Sequence, residues 1–292
     1  MKVSSRGKIK RLGPRDERLL HDRLSTHVDE NAYLLGLLSD YSIKDLLQMG
    51  WGEFYVYQEN RAIGGVFYLD VTGLLVVAQP NEVSLSEFAN YIALDGKKVT
   101  RIISVRDPAE ALHNAFSRLD PKWERVHQTF EEVGMILRRE ALEPIREPRL
   151  RLARLGEASE IAKGSQKAME EELNLHTERF NFERLVRSKS DLIERERYYV
   201  MEEDGRFVFQ GYLSAQLPEV GQIQGVWVPR DRRGEGIATH CMAEMCARSL
   251  SYCDHIVLRV QRRNLPAIAV YEKVGFAPFL DYLSIWYENT MG

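Results

Sequence analysis

The stretch Ile223-Gln-Gly-Val-Trp-Val-Pro-Arg-Asp-Arg-Arg-Gly-Glu-Gly-Ile-Ala238 constrains this chain more than any other, because an apolar strand runs through a basic, glycine-containing turn into an amphipathic helix. In that order the three pieces make an anion-binding corner. Gly234 and Gly236 let the backbone come close to an anion, and the first amides of the helix have no intrahelical acceptor. The helix dipole adds partial positive charge at the same place. Arg232 and Arg233 bring full charges. Ordinary strand-to-helix connections also use glycine, so the corner gains meaning from what lies downstream.

Downstream, His255 to Val260 reads as a second apolar strand, and Asn264 to Phe276 as a helix with its own punctuation. Asn264 is a natural N-cap, Pro266 fits the first turn, and Gly275 supplies a left-handed C-cap. The pattern RxxGxA at Arg233, Gly236 and Ala238, followed by NxxAxxxYExxGF at Asn264, Ala267, Tyr271, Glu272, Gly275 and Phe276, resembles the acetyl-CoA-binding core of the GCN5-related N-acetyltransferase (GNAT) superfamily. The resemblance covers the last half of the chain. It implies an acyl-CoA N-acyltransferase fold, acetyl-CoA as cosubstrate and direct attack of an amine on the thioester.

Composition agrees with two ordinary domains: 292 residues, 44% of them hydrophobic, are enough for two cores. A formal charge of -3 argues against a partner bound through a nucleic-acid backbone. The charged N-terminus has no apolar core and no apolar run approaches a membrane span, so a cytoplasmic protein without membrane attachment is expected. Cys241, Cys246 and Cys253 lack CxxC spacing and read as buried thiols rather than a metal site or disulfide framework.

Elements laid along the second half alternate as strand (149–155), helices (157–173 and 181–194), strands (198–202, 207–215 and 222–228), the basic turn and its helix, strand (255–260), helix (265–274) and two terminal strands. The first half repeats that order: a strand at 8–12, helical sequence over 15–47, strands at 54–58, 64–70 and 74–78, helix 86–94, strand 100–105, helix 109–119 and strands within 126–142. Where its basic turn should come, the chain reads Gln79 to Ser86, without glycine or arginine and with Glu82 placed to repel phosphate. Leu142 to Arg149, with two prolines, reads as a linker. The expected fold class is therefore α/β: two tandem GNAT folds, mixed and mostly antiparallel sheets flanked by helices. A degenerate domain is expected over 1–145 and an acetyl-CoA-binding domain over 146–292, an arrangement that resembles tandem bacterial acetyltransferases and mycothiol synthase.

The resemblance assigns roles by position. Main-chain groups of Val226, Trp227 and Val228 would hold the acyl end of the cofactor, while Arg233, Gly234, Gly236, Ile237 and Ala238 would take its pyrophosphate. Asn264 is either a further cofactor contact or only the helix cap. Tyr271, two helical turns beyond Asn264, would protonate the departing thiolate; packing of the ring is the competing reading. Many superfamily members carry a glutamate on the strand before the turn, but this chain has Gln222 and Gln224 there, and an amide accepts no proton at neutral pH. On the substrate side it can still orient a water or the amine itself; a water chain, or a carboxylate from another element such as Glu219, is the alternative for the base. The run Glu170 to Glu172 reads as a solvated helix face or, through Glu171 and Glu172, as an acidic lip for a cationic amine. No metal is called for. The acceptor is a small-molecule amine or a protein amino group; a non-catalytic acetyl-CoA sensor or scaffold is the competing class, and oligomeric state is not legible.

Overall fold

The computed structural model describes residues 7–60, 62–173 and 181–288. In chain order its elements are β1 (Lys8–Arg11), α1 (Glu17–Leu24), α2 (Val28–Asp40), α3 (Ile43–Met49), β2 (Gly52–Glu59), β3 (Ala62–Asp70), β4 (Leu74–Ala78), α4 (Glu82–Asp95), β5 (Arg101–Val105), α5 (Arg106–Leu119) and β6 (Val126–Arg138). The chain continues through β7 (Arg151–Leu152), α6 (Ala158–Leu173), α7 (Phe182–Glu194), β8 (Tyr198–Glu203), β9 (Arg206–Gln216), β10 (Val220–Trp227), α8 (Ile237–Ser249), β11 (His255–Gln261), α9 (Leu265–Val274) and β12 (Ala277–Tyr287).

These elements form two compact units. The first takes in the chain up to Gly134, Val260–Arg263 and the segment from Phe279 on; the second takes in Met135–Arg259 and Asn264–Pro278. In the first unit the strand order is β1-β2-β3-β4-β5-β12-β6, and in the second β6-β11-β10-β9-β8-β7. β6 thus contributes residues to both. β4 pairs with β5 and β10 with β11 in parallel, and the other registered pairs among the described residues are antiparallel.

The units are not the consecutive stretches 1–145 and 146–292. β12, from the far end of the chain, lies antiparallel to β5 with Tyr282 opposite Val105 and Trp286 opposite Arg101. Its alternate side chains explain the placement. Leu283, Ile285 and Tyr287 are buried in one cluster with Tyr55, Phe67, Phe88, Ile102 and Phe116, where Phe67 and Phe88 stack at 3.9 Å. The second unit has a core of Ile161, Ile193, Tyr198 and Val200 under α6 and α7.

Local chemistry accounts for other departures from the sequence reading. The helical stretch over 15–47 is broken at Tyr41, which is extended, because Ser42 and Asp45 form a capping box that starts α3 anew. The strand expected over 149–155 is cut to β7, since the Glu157 carboxylate accepts the Arg154 N–H (2.7 Å) and opens a short 3-10 helix. The paired strands expected at each domain's end are single long ones, β6 and β12. Residues 174–180, between α6 and α7, lie outside those described.

Candidate active site

β10 and β11 are in register only at Val220, Gly221 and Gln222, opposite His255, Ile256 and Val257. Both strands run on past this point, so the parallel edge opens between them. The cause lies in β10. Gly225 has φ +63°, and the pairing with β9 slips between Gln224 and Trp227. This bulge takes Gly225 and Val226 out of the ladder before pairing resumes at Trp227. Only glycine suits the position, because of its φ and because a β-carbon would run into the Tyr212 ring.

The chain then turns through Pro229 and a short 3-10 helix (Arg230–Arg232) into α8. Gly234 and Gly236 have φ of +84° and +83°, and open space surrounds the place of a β-carbon at Gly234. Left-handed backbone, rather than crowding, requires glycine there. The N–H groups of Gly234 through Thr239 have no acceptor among the described residues, and no side chain caps α8. Six successive donors at a positive helix end form a cradle for an anion.

The arginines of the turn are not free charges. Arg232 pairs with Glu203 (2.7 Å) and Glu235 (2.8 Å). The Arg233 Nε donates to the Val228 carbonyl (3.0 Å) while its guanidinium pairs with Glu171. Arg230 Nε meets the other Glu171 oxygen at 3.0 Å. Glu171, read from sequence as part of a solvated helix face or an acidic lip, is paired with two arginines of the turn. Glu172 lies close enough to Tyr271 for its charge to help raise the phenol pKa.

Tyr271 is 8% exposed on α9, with its ring edge-on to Phe276 at 5.9 Å. Burial first, then the charge of Glu172 and the Cys246 thiol, push its pKa well above the usual phenol value, so the proton is retained throughout the working range. Asn264 caps α9, its Oδ1 accepting the Ala267 N–H at 3.2 Å, and Gly275 closes the helix at φ +112°. The capping role of Asn264 is thus present in the fold whether or not it also touches a cofactor.

The two glutamines of β10 are both engaged. Gln222 Oε1 accepts from the Ser214 hydroxyl (3.2 Å), and Gln224 Oε1 from the Tyr212 hydroxyl (3.2 Å). Trp227 lines a recess of ≈ 320 Å³ with Gly164, Glu170, Phe207 and Gln210, and its indole N–H has no partner among the described residues. Gln210 stands opposite Trp227 and donates to the Ser165 hydroxyl (3.3 Å). Neither Gln210 nor Tyr212 stands out in the sequence, since each occupies an ordinary strand position whose inward direction depends on the register with β10. The three cysteines are buried and free, and no group of three or more metal-binding side chains is found among the described residues.

In the first unit the corresponding corner is closed. Beyond the β4–β5 register the Ser104 hydroxyl donates to the Val77 carbonyl (2.9 Å) across the place where the strands would part. Gln79 is held by Arg23, Thr26 and His27. Asn81 caps α4 by accepting the Ser84 N–H (2.7 Å), and its own N–H reaches the Gly64 carbonyl (2.6 Å).

Residues 165–276 match the model of the acetyltransferase (GNAT) family. Solved structures of similar fold include a GCN5-related N-acetyltransferase from Sphaerobacter thermophilus (TM-score 0.62, 14% identity, covering 96% of this chain and 95% of that one). A tandem GNAT protein from the clavulanic acid biosynthesis pathway matches with TM-score 0.57 at 14% identity, over 96% of this chain and 97% of that one. A GNAT-family acetyltransferase from Colwellia psychrerythraea gives TM-score 0.56 at 13% identity, over 96% and 100%. No curated protein matches the chain in sequence. No helix among the described residues is long and apolar enough to cross a membrane.

Proposed function

Because residues 165–276 form an acetyltransferase (GNAT) family domain within a tandem GNAT fold, we propose that the chain is an N-acetyltransferase that moves the acetyl group of acetyl-CoA to a primary amine. The observation that carries this reading is the run of six N–H groups from Gly234 to Thr239 at the start of α8 that have no acceptor among the described residues, beside a strand that has left its partner. The first is a seat for a pyrophosphate and the second leaves room for a pantetheine arm; together they fit this cofactor.

On that reading, backbone amides of the bulged segment Val226 to Val228 hold and polarise the thioester carbonyl, and stabilise the negative charge that develops on its oxygen. The acceptor amine enters from the recess beside Trp227 and attacks as the free base. Tyr271, kept protonated by burial, gives its proton to the sulfur as the carbon–sulfur bond breaks, so that amide and thiol leave as neutral products. The amine's surplus proton departs through water, because β10 carries no carboxylate and both its glutamine carbonyls already accept hydrogen bonds.

The test is release of coenzyme A from acetyl-CoA by the full chain, measured with a panel of polyamines, amino acids, aminoglycosides and peptides with free N-termini. Amine-dependent release in stoichiometric balance with acetylated product supports the reading. Tight acetyl-CoA binding with no release against any amine supports a sensor instead, and the absence of binding removes both.

A further inference from the structure

Among the buried polar side chains of the second unit, Lys189 has the least obvious reason to be where it is. It lies on α7 between Val186 and Ile193, at positions i−3 and i+4, on the face that packs into the core. An apolar residue would satisfy that face at lower cost, since an ammonium loses its hydration there. Yet Lys189 is only 6% exposed, and among the described residues it has neither an ion-pair partner nor a hydrogen-bond acceptor. What it has is two aromatic faces. Its Nζ lies 4.6 Å from the centre of the Tyr212 ring and 5.6 Å from that of Tyr198, and the two rings are stacked at 5.4 Å. An ammonium so desolvated over a ring face is attracted by the ring's quadrupole.

The partner ring leads to the site. Tyr212 donates its hydroxyl to Gln224 on β10, and its ring edge occupies the space that a β-carbon at Gly225 would need. Gly225 is the hinge of the bulge between Gln224 and Trp227, which takes Val226 out of the ladder. A chain of direct contacts therefore runs from the lysine charge to the bulge of the strand at Gly225. Taking β10 as the acyl-holding strand of the proposed function, we infer that Lys189 is a positioning residue: its ammonium pins Tyr212, Tyr212 fixes Gln224 and backs Gly225, and loss of the charge loosens the bulge and weakens the cofactor grip.

Such a device responds to pH. Burial lowers the Lys189 pKa to about 8, so the charge that holds Tyr212 is lost within the range in which an amine acceptor becomes free base. The groups facing it are the phenols of Tyr198 on β8 and Tyr212 on β9. The Tyr198 pKa is raised by burial, which keeps that phenol neutral. Of the charged residues on the other elements packed against α7, Glu157 is held by Arg151 at 2.8 Å, and no charge contributes to the shift of Lys189.

The experiment follows the Gly225 Cα and Val226 methyl resonances of the full chain from pH 6.5 to 9.5, without cofactor, in the wild type and in Lys189→Arg and Lys189→Met. Wild-type signals are expected to move with one midpoint near pH 8, matching the lysine, while Arg holds them at their low-pH positions and Met at their high-pH positions. In parallel, acetyl-CoA affinity should fall about three- to tenfold in the Met variant and in the wild type above the midpoint, with Arg unaffected. A folded Met variant whose Gly225 and Val226 signals keep wild-type positions and pH dependence overturns the inference. If Met does not fold, an Arg variant that still titrates at Gly225 overturns it equally. Should the wild type bind no acetyl-CoA, the acetyltransferase reading falls, while the resonances still decide the role of Lys189.

Discussion

β4 and β10 each pair in parallel with the next strand over three registered positions and then run into a helix. In the first unit the step into α4 is tied down by side chains. Ser104 bridges to Val77, Asn81 caps the helix, and Arg23, Thr26 and His27 hold Gln79. In the second, a glycine bulge opens the edge and six N–H groups of the turn and the start of α8 have no acceptor among the described residues. The same fold thus supports a corner tied down by side chains and one whose N–H groups have no acceptor among the described residues. What separates them is a few residues: Ser104 and Asn81 on one side, Gly225, Gly234 and Gly236 on the other. Backbone groups left unpaired in a folded protein are a stronger pointer to a binding role than the fold that carries them.

The largest expected effect lies in the open corner. Gly236→Asp introduces a carboxylate and a strained left-handed residue where the pyrophosphate is proposed to sit, and should weaken acetyl-CoA binding by about a hundredfold or more. Calorimetry, with circular dichroism to confirm the fold, checks it; unchanged affinity in a folded variant moves the phosphate seat elsewhere. Tyr271→Phe comes next. It should lower turnover roughly ten- to a thousandfold at nearly unchanged acetyl-CoA affinity. Because burial and Glu172 raise the phenol pKa, Tyr271 should also cause no loss of wild-type rate between pH 8 and 10. Full turnover in the Phe variant would reduce Tyr271 to packing.

Smaller changes sharpen the contrast. Glu171 competes with any incoming phosphate for Arg230 and Arg233, and a partly exposed pair of this kind is worth up to about 1 kcal/mol, so Glu171→Gln should tighten acetyl-CoA binding about two- to fivefold. Weaker binding would instead make Glu171 part of the grip. The smallest effect belongs to the closed corner. Ser104→Ala removes one buried hydrogen bond and should cost about 1 kcal/mol in denaturant unfolding, with no change in cofactor affinity. A variant that gained a second acetyl-CoA site would show that this one hydroxyl keeps the first corner shut.

Much of this was legible in the sequence because it is written in local terms. The turn glycines, the Asn264 cap, the Gly275 closure and the lost turn at Gln79 all depend on residues near one another in the chain. What stayed hidden depends on distant pairing. The ion pairs of Glu171 could not be read because its arginine partners are 59 and 62 positions away, and β12 could not be assigned to the first unit because no local signal names β5 as its neighbour. Gln224 looked like a missing base, but the register with β9 gives it a fixed partner in Tyr212. Lys189 did leave a trace, as a cation on the apolar stripe of an amphipathic helix.

The contrast between the corners comes down to how many cofactors one chain holds, and calorimetric titration of the full chain with acetyl-CoA measures that number. One site per chain, abolished by Gly236→Asp and untouched by Ser104→Ala, is the expected result. A stoichiometry of two, or a single site that survives Gly236→Asp in a folded chain, would contradict the assignment of the open corner of β10 and α8 as the place where the cofactor binds.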